Sequence, residues 1–173
     1  LQKNYFMRKI LILIFFKLFL FSNLFSQAYK IEGEVVGLKD TSLLLGCYYR
    51  DSGQPIDTAY SKNGKFIFKG NKNLKKGMYF IMLPNYNLQL VINESYINFK
   101  TSLNNPINDM IFNKSFENKP FYNYMKFLNE KQKLVSNLNE KLKSSTSNQN
   151  KEIKTQLENI DKEVIKFRDN FIN

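Results

Sequence analysis

Few side chains in this chain could do chemistry: the thiol of Cys47, the carboxylates of Asp57 and Glu94, and the ring of Tyr60 as a stacking surface. Two acids could act as a general acid and base, or line a ligand or partner surface, if the fold brought them together. They are separated in sequence by two expected hairpins, and nothing local joins them. The chain has 0 histidines and 1 cysteine. Ser-His-Asp and Cys-His catalysis and every histidine-containing zinc site are therefore excluded. Cys47 lies in the apolar run Leu43–Tyr49, where a buried inert thiol is the expectation; the reactive alternative has no imidazole to activate it. No Walker loop and no G-x-G-x-x-G is present, so a Gly-rich phosphate cradle has no support. Catalytic residues, cofactor and metal are all expected to be none.

Asp57 and Tyr60 belong to the most legible element of the chain, Pro55 to Gly70. Asn63-Gly64 suits a two-residue type I′ turn, which needs positive φ at both central positions. Two strands then flank it, with Ser61 facing Phe66, Tyr60 facing Ile67 and Ala59 facing Phe68. Residues directly opposite share a face. Phe66 and Phe68 over small side chains make the core face, which also takes Asp57 at the strand start, where it can accept backbone N–H bonds. Tyr60 and Ile67 fall on the other, partly covered face.

Between Ala28 and about Thr101, short apolar runs alternate with turn residues at close spacing. Seven strands are expected: Tyr29–Val36, Leu43–Tyr49, Ile56–Ser61, Lys65–Lys69, Gly77–Leu83, Leu88–Ile92 and Tyr96–Lys100. Such a series makes an antiparallel β-sandwich or a partly open barrel. No connection is long enough for a crossover helix, so parallel pairing is not expected.

After Pro106 the apolar period changes. Phe121, Leu128, Val135 and Leu142 recur every seven residues with Tyr124 and Leu138 between them, which predicts a helix from Lys119 to Lys143. Lys131 interrupts that seam. A polar linker, Ser144–Asn150, leads to a second repeat of Ile153, Leu157, Ile160, Val164, Phe167 and Phe171. The two form an antiparallel helical hairpin. Phe167, Phe171 and Ile172 have nothing downstream to cover them, so the chain reads as cut short after Asn173, with Phe167 and Phe171 as candidate partner contacts.

Met7-Arg8-Lys9, the apolar stretch Ile10–Phe21 and the small residues Ser22, Ser26 and Ala28 have the order of a secretory signal peptide. Lys17 and the shortness of the run argue against a spanning helix, so no stable membrane span is expected after cleavage. Leu1–Phe6 reads as an upstream extension. The organisation is thus 1–27 extension and leader, 28–103 β domain, and 104–173 connector with helical hairpin. The net charge of +11 is spread among many asparagines, as in a chain from an AT-rich genome. The lysines at 69, 72, 75 and 76 read as a solvated loop. Export to the periplasm or cell envelope removes nucleic acid as a partner for Phe66-x-Phe68.

Ile31-x-Gly33, Ile56-Asp57-Thr58-Ala59, Asn63-Gly64-Lys65-Phe66-x-Phe68-x-Gly70, Gly77-x-Tyr79 and Ile92-x-Glu94 resemble a β-rich domain of unknown function. That domain precedes thioredoxin-like domains in envelope thiol-disulfide oxidoreductases of the TlpA/ResA and AhpC/TSA type. Ser115-x-Glu117-Asn118-x-x-Phe121-x-x-Tyr124 is similar to the connector that follows it in those proteins. The resemblance covers nearly all of the expected mature chain and rests on glycines and aromatics. Gly33, Gly64, Gly70, Phe66, Phe68 and Asp57 are accordingly expected to be structural. It implies a non-catalytic accessory domain that positions a thioredoxin-like partner or substrate, or mediates homodimerisation. The Cys-x-x-Cys pair has no counterpart in these residues. The other reading is a free-standing envelope module using Tyr48, Tyr49 or Tyr60 for a glycan or protein ligand.

Overall fold

A computed structural model describes residues 28–49 and 52–172. The expected leader, 1–27, lies outside the described residues. Those described form β1 (Tyr29–Val36), β2 (Thr41–Tyr49), β3 (Ser52–Ser61), β4 (Lys65–Gly70), β5 (Gly77–Leu83), β6 (Tyr86–Ile92), β7 (Tyr96–Ser102), β8 (Ile111–Lys114), α1 (Asn118–Lys143) and α2 (Ser147–Ile172). The strands make two four-stranded sheets, ordered β4-β1-β7-β8 and β3-β2-β5-β6. The architecture is the expected sandwich, not a closed barrel, with an eighth strand, β8, contributed by the connector.

The turn at Asn63-Gly64 forms as its residues dictate, with φ of 52° and 76°. Its arms do not stay paired. Lys62 and Lys65 exchange backbone hydrogen bonds of 2.9 and 3.0 Å, after which β4 leaves to pair with β1 and β3 with β2. The expected opposition of Phe66 to Ser61 and Phe68 to Ala59 is therefore wrong, although the core face is right. Phe66 lies opposite Gly33, and Phe68 opposite Ile31. A Cβ at Gly33 would stand 2.3 Å from Phe66 Cζ and 2.8 Å from Phe99 Cζ, so the small residue that admits the ring comes from β1. The hairpin thereby becomes an arch between the sheets, because each arm gains a longer ladder on a different partner.

The second departure is a parallel pair. β1 runs parallel to β7 from Lys30↔Tyr96 to Val36↔Ser102. A parallel pair needs a long crossover, and here strands β2 to β6 supply it in place of a helix. Connection lengths between sequence neighbours carry no trace of that.

Ile31, Val35, Leu43, Leu45, Ile81, Leu88, Leu90 and Ile97 fill the space between the sheets and are buried. Their alternation with solvent-facing residues sets the register, since a one-residue slip would turn each row outward. Phe68, Phe66, Phe99, Phe112 and Tyr122 continue this core as successive ring contacts 5.2–6.1 Å between centroids, ending on α1.

The helices lie antiparallel, with residues early in α1 against residues late in α2. Tyr124 stacks on Phe171 at 4.8 Å and Phe127 on Phe167 at 4.1 Å, the rings within 10° of parallel. Lys131, which breaks the apolar seam, forms an ion pair with Glu163. The linker is shorter than expected, since α2 starts at Ser147. The side chain of Gln149 accepts a 3.0 Å hydrogen bond from the Thr146 backbone N–H, the back-reaching half of a capping box that starts the helix early.

Candidate functional site

Asp57 lies on the inner face of β3, opposite Leu45, beside an irregularity in the β2–β3 ladder. Its Oδ1 accepts the Thr58 backbone N–H at 2.7 Å, and its Oδ2 accepts the Tyr29 hydroxyl at 2.6 Å. Tyr29 begins β1 in the other sheet, so this bond ties the sheets together at one end. The Tyr29 ring occupies the space a side chain at Gly70 would need, 2.5 Å from a Cβ built there. Burial, reinforced by the bond to Asp57, raises the Tyr29 phenol well above its ordinary range. Asp57 and Gly70, distant in sequence, thus meet on a tyrosine that the sequence reading did not single out.

Glu94 occupies the turn between β6 and β7 and serves α1. Its Oε1 accepts the Ser115 hydroxyl at 2.7 Å and the backbone N–H groups of Phe116 and Glu117 at 2.6 and 3.1 Å. The first N–H groups of a helix have no partner within it, and a carboxylate there also meets the positive end of the helix dipole. Glu117, at the cap position, offers no side-chain cap, so a residue from a remote turn does so. The Ser115 oxygen in turn accepts the Asn118 backbone N–H at 3.2 Å and its Nδ2 at 2.9 Å.

Asn118 is 0% exposed and completes the network. Its Oδ1 accepts the Val91 N–H and its Nδ2 donates to the Val91 carbonyl, both at 2.8 Å. One turn further along, the Tyr122 hydroxyl donates to the Gln89 carbonyl at 3.0 Å, and burial pushes its pKa upward. Lys126 Nζ donates to the Met110 carbonyl at 2.8 Å. Glu94, Ser115, Asn118 and Tyr122 form a latch between the sandwich and the helical hairpin.

Asp57 and Glu94 therefore serve separate networks, and the structure does not bring them together as an acid–base pair. Tyr60 stands at the β3–β4 corner, 63% exposed, while Phe167 and Phe171 lie on the hairpin. Gly33, Phe66 and Phe68 are packing residues, and Gly64 fits against the end of β1, whose Val35 N–H donates to the Gly64 carbonyl at 2.8 Å. Cys47 is half-buried in β2, opposite Tyr79, and is not in a disulfide. Among the described residues no cluster of Cys, Asp and Glu could hold a metal ion. No helix among them is long and apolar enough to cross a membrane.

Sequence reasoning missed Tyr29, Asn118 and Tyr122 as structural keys. Asn118 carried a signal only as part of the connector motif, because its partners lie 27 residues upstream.

Comparison with curated proteins and with solved structures finds no match. A family model described as "Domain of unknown function (DUF4369)" matches residues 29–153, from the first residue of β1 into α2. That span takes in both sheets, the latch and the whole of α1, so the chain belongs to the DUF4369 family.

Proposed function

We propose that this chain is the non-catalytic accessory domain of an exported thiol-disulfide oxidoreductase, in which the latched hairpin presents the sandwich to a thioredoxin-like domain. The observation that carries this reading is how Asp57 and Glu94 are used. Each is taken up by partners that hold sheets or helix in place, which leaves them no reacting group to serve. Support also comes from α2, where Phe167 and Phe171 are 37% and 42% exposed although stacked, and Ile172 is 71% exposed. A redox partner packed there would remove that apolar area from water at roughly 25 cal/mol per Å². Positioning is the role such an arrangement can fill; the electron chemistry belongs to the partner's dithiol.

Two experiments test the reading. Sequencing past codon 173 is expected to find a thioredoxin-like Cys-x-x-Cys domain, in the same frame or interrupted by a stop. A locus without one overturns the redox assignment. Fractionation with N-terminal sequencing is expected to recover envelope protein starting at Gln27 or Tyr29, whereas intact cytoplasmic protein would overturn export.

A further inference from the structure

The outer face of the β4-β1-β7-β8 sheet takes no part in the core or in the latch. Registers place its side chains in cross-strand rows. Lys65, Glu34 and Lys100 stand side by side, and Ile67, Glu32 and Asn98 form the next row. Tyr60 reaches over from the β3–β4 corner beside Ile67, and together they border a groove of about 650 Å³ that crosses the sheet. Spanning four strands gives it a run of roughly 14 Å at the usual strand spacing.

The polar groups in this groove are held in place by one another. Glu34 is bridged to Lys100 at 2.8 Å and to Lys65 at 3.9 Å. Glu32 is bridged to Lys30 at 2.5 Å and accepts hydrogen bonds from the Tyr96 hydroxyl and, at 3.3 Å, from Asn98. Asn113 donates to Asn98 at 2.7 Å. Bonds from Lys30 and Lys100 hold the Glu32 and Glu34 carboxyls below their ordinary range, so both are ionised at neutral pH.

We propose that this groove binds a short neutral oligosaccharide, with Tyr60 and Ile67 against the C–H face of a sugar ring and the rows of Glu32, Glu34, Asn98 and Lys100 on its hydroxyls. Three features of the site select that ligand. The groove is lined by two carboxylates, Glu32 and Glu34, and two lysines, Lys65 and Lys100, so the lining itself carries no net charge although the chain carries +11. Acceptors and donors alternate at strand spacing, and a hydroxyl can both give and take a hydrogen bond. An apolar ligand would instead strip water from ionised groups without replacing it. The tyrosine adds contact area at low entropy cost, and side chains already fixed by ion pairs lose little freedom on binding. This inference is independent of the redox reading: the absence of a downstream thioredoxin-like domain leaves it standing, and a groove that binds no sugar leaves that reading standing.

The test is titration of the chain with cellotriose, maltotriose, mannotriose and chitotriose, followed by amide chemical shifts, with heparin as the polyanionic control. At least one trisaccharide is expected to shift the amides of Glu32, Lys65 and Asn98 saturably. Tyr60→Ala and Asn98→Ala should each weaken that binding about tenfold, the equivalent of ~1.4 kcal/mol. Tyr60 is 63% exposed, so its variant should unfold at the same denaturant concentration as the parent. The proposal is overturned if none of the four sugars shifts these amides up to about 10 mM, weaker than the millimolar range of a single shallow site. It is also overturned if both variants bind as tightly as the parent. Heparin shifting these amides where the sugars do not would reassign the groove to a polyanion.

Discussion

The side-chain amide of Asn118 pairs with the backbone of Val91 as a neighbouring strand would, donating to its carbonyl and accepting from its N–H, both at 2.8 Å. Val91 lies on β6, the edge strand of its sheet. An open edge is a template for pairing with another chain, and here the first turn of α1 closes it. One residue thus ends the sheet, anchors the helical hairpin and, through Ser115, connects to the cap that Glu94 places on the helix.

Asn118→Leu should be among the most destabilising single changes to a polar residue. Both Val91 groups would lose their partner in a buried setting, and an unsatisfied group costs about 1–3 kcal/mol. A loss of roughly 2–4 kcal/mol is expected from urea unfolding, with faster hydrogen exchange at the Val91 amide. An unchanged midpoint would show that water replaces the amide without cost.

Glu94→Ala removes the acceptor shared by Ser115, Phe116 and Glu117 and should cost about 1–2 kcal/mol, the range of a lost helix cap. Glu94→Gln keeps an acceptor and gives up the charge, so its cost should be nearer 0.3–1 kcal/mol. Urea unfolding of both variants checks the order, and equal losses would mean that the charge, which both variants lack, and not the hydrogen bonds carries the cap.

Gly33→Ala should be costly for steric reasons. Its Cβ would meet the Phe66 and Phe99 rings at 2.3 and 2.8 Å, and overpacking of this kind costs about 1–3 kcal/mol. Pairing it with Phe66→Leu should recover part of the loss, since residues in contact couple. Additive effects in the double-mutant cycle would place the strain elsewhere.

Alkaline pH should destabilise the fold through Tyr29 and Tyr122. Burial raises both phenols in the folded protein, with the Asp57 bond adding to the effect at Tyr29, whereas unfolded tyrosine ionises near pH 10. The folded state therefore holds these protons more tightly. Their contribution is complete below about pH 10 and is lost as pH rises from there towards the folded values. Tyr122→Phe should flatten the fall in stability above pH 10, while costing about 1 kcal/mol at neutral pH for the bond to Gln89. Urea unfolding at a series of pH values would show either outcome.

Elements were more legible than partners. The Asn63-Gly64 turn, the inward face of Phe66 and Phe68 and the helical seams follow from spacing of two and three and a half residues, which is local. The start of α2 was also local, since Thr146-x-x-Gln149 has capping-box spacing, but a run of polar residues hid it within the expected linker. Glu94 was legible as a candidate acid, yet its use as a remote cap depends on residues 21 to 23 positions away.

Composition and pattern alone establish a β-rich domain with a helical hairpin and, through the missing histidines, exclude whole classes of catalysis. Which strand lies beside which was decided only in three dimensions. A strand's face is set by its own alternation, but its neighbour is whichever ladder best satisfies its backbone while the side chains fill one core. Gly33 admits Phe66 and draws β4 onto β1, away from the arm that the Asn63-Gly64 turn offers it. The same competition makes β1 and β7 parallel, and it lays Lys65, Glu34 and Lys100 side by side from three remote parts of the chain.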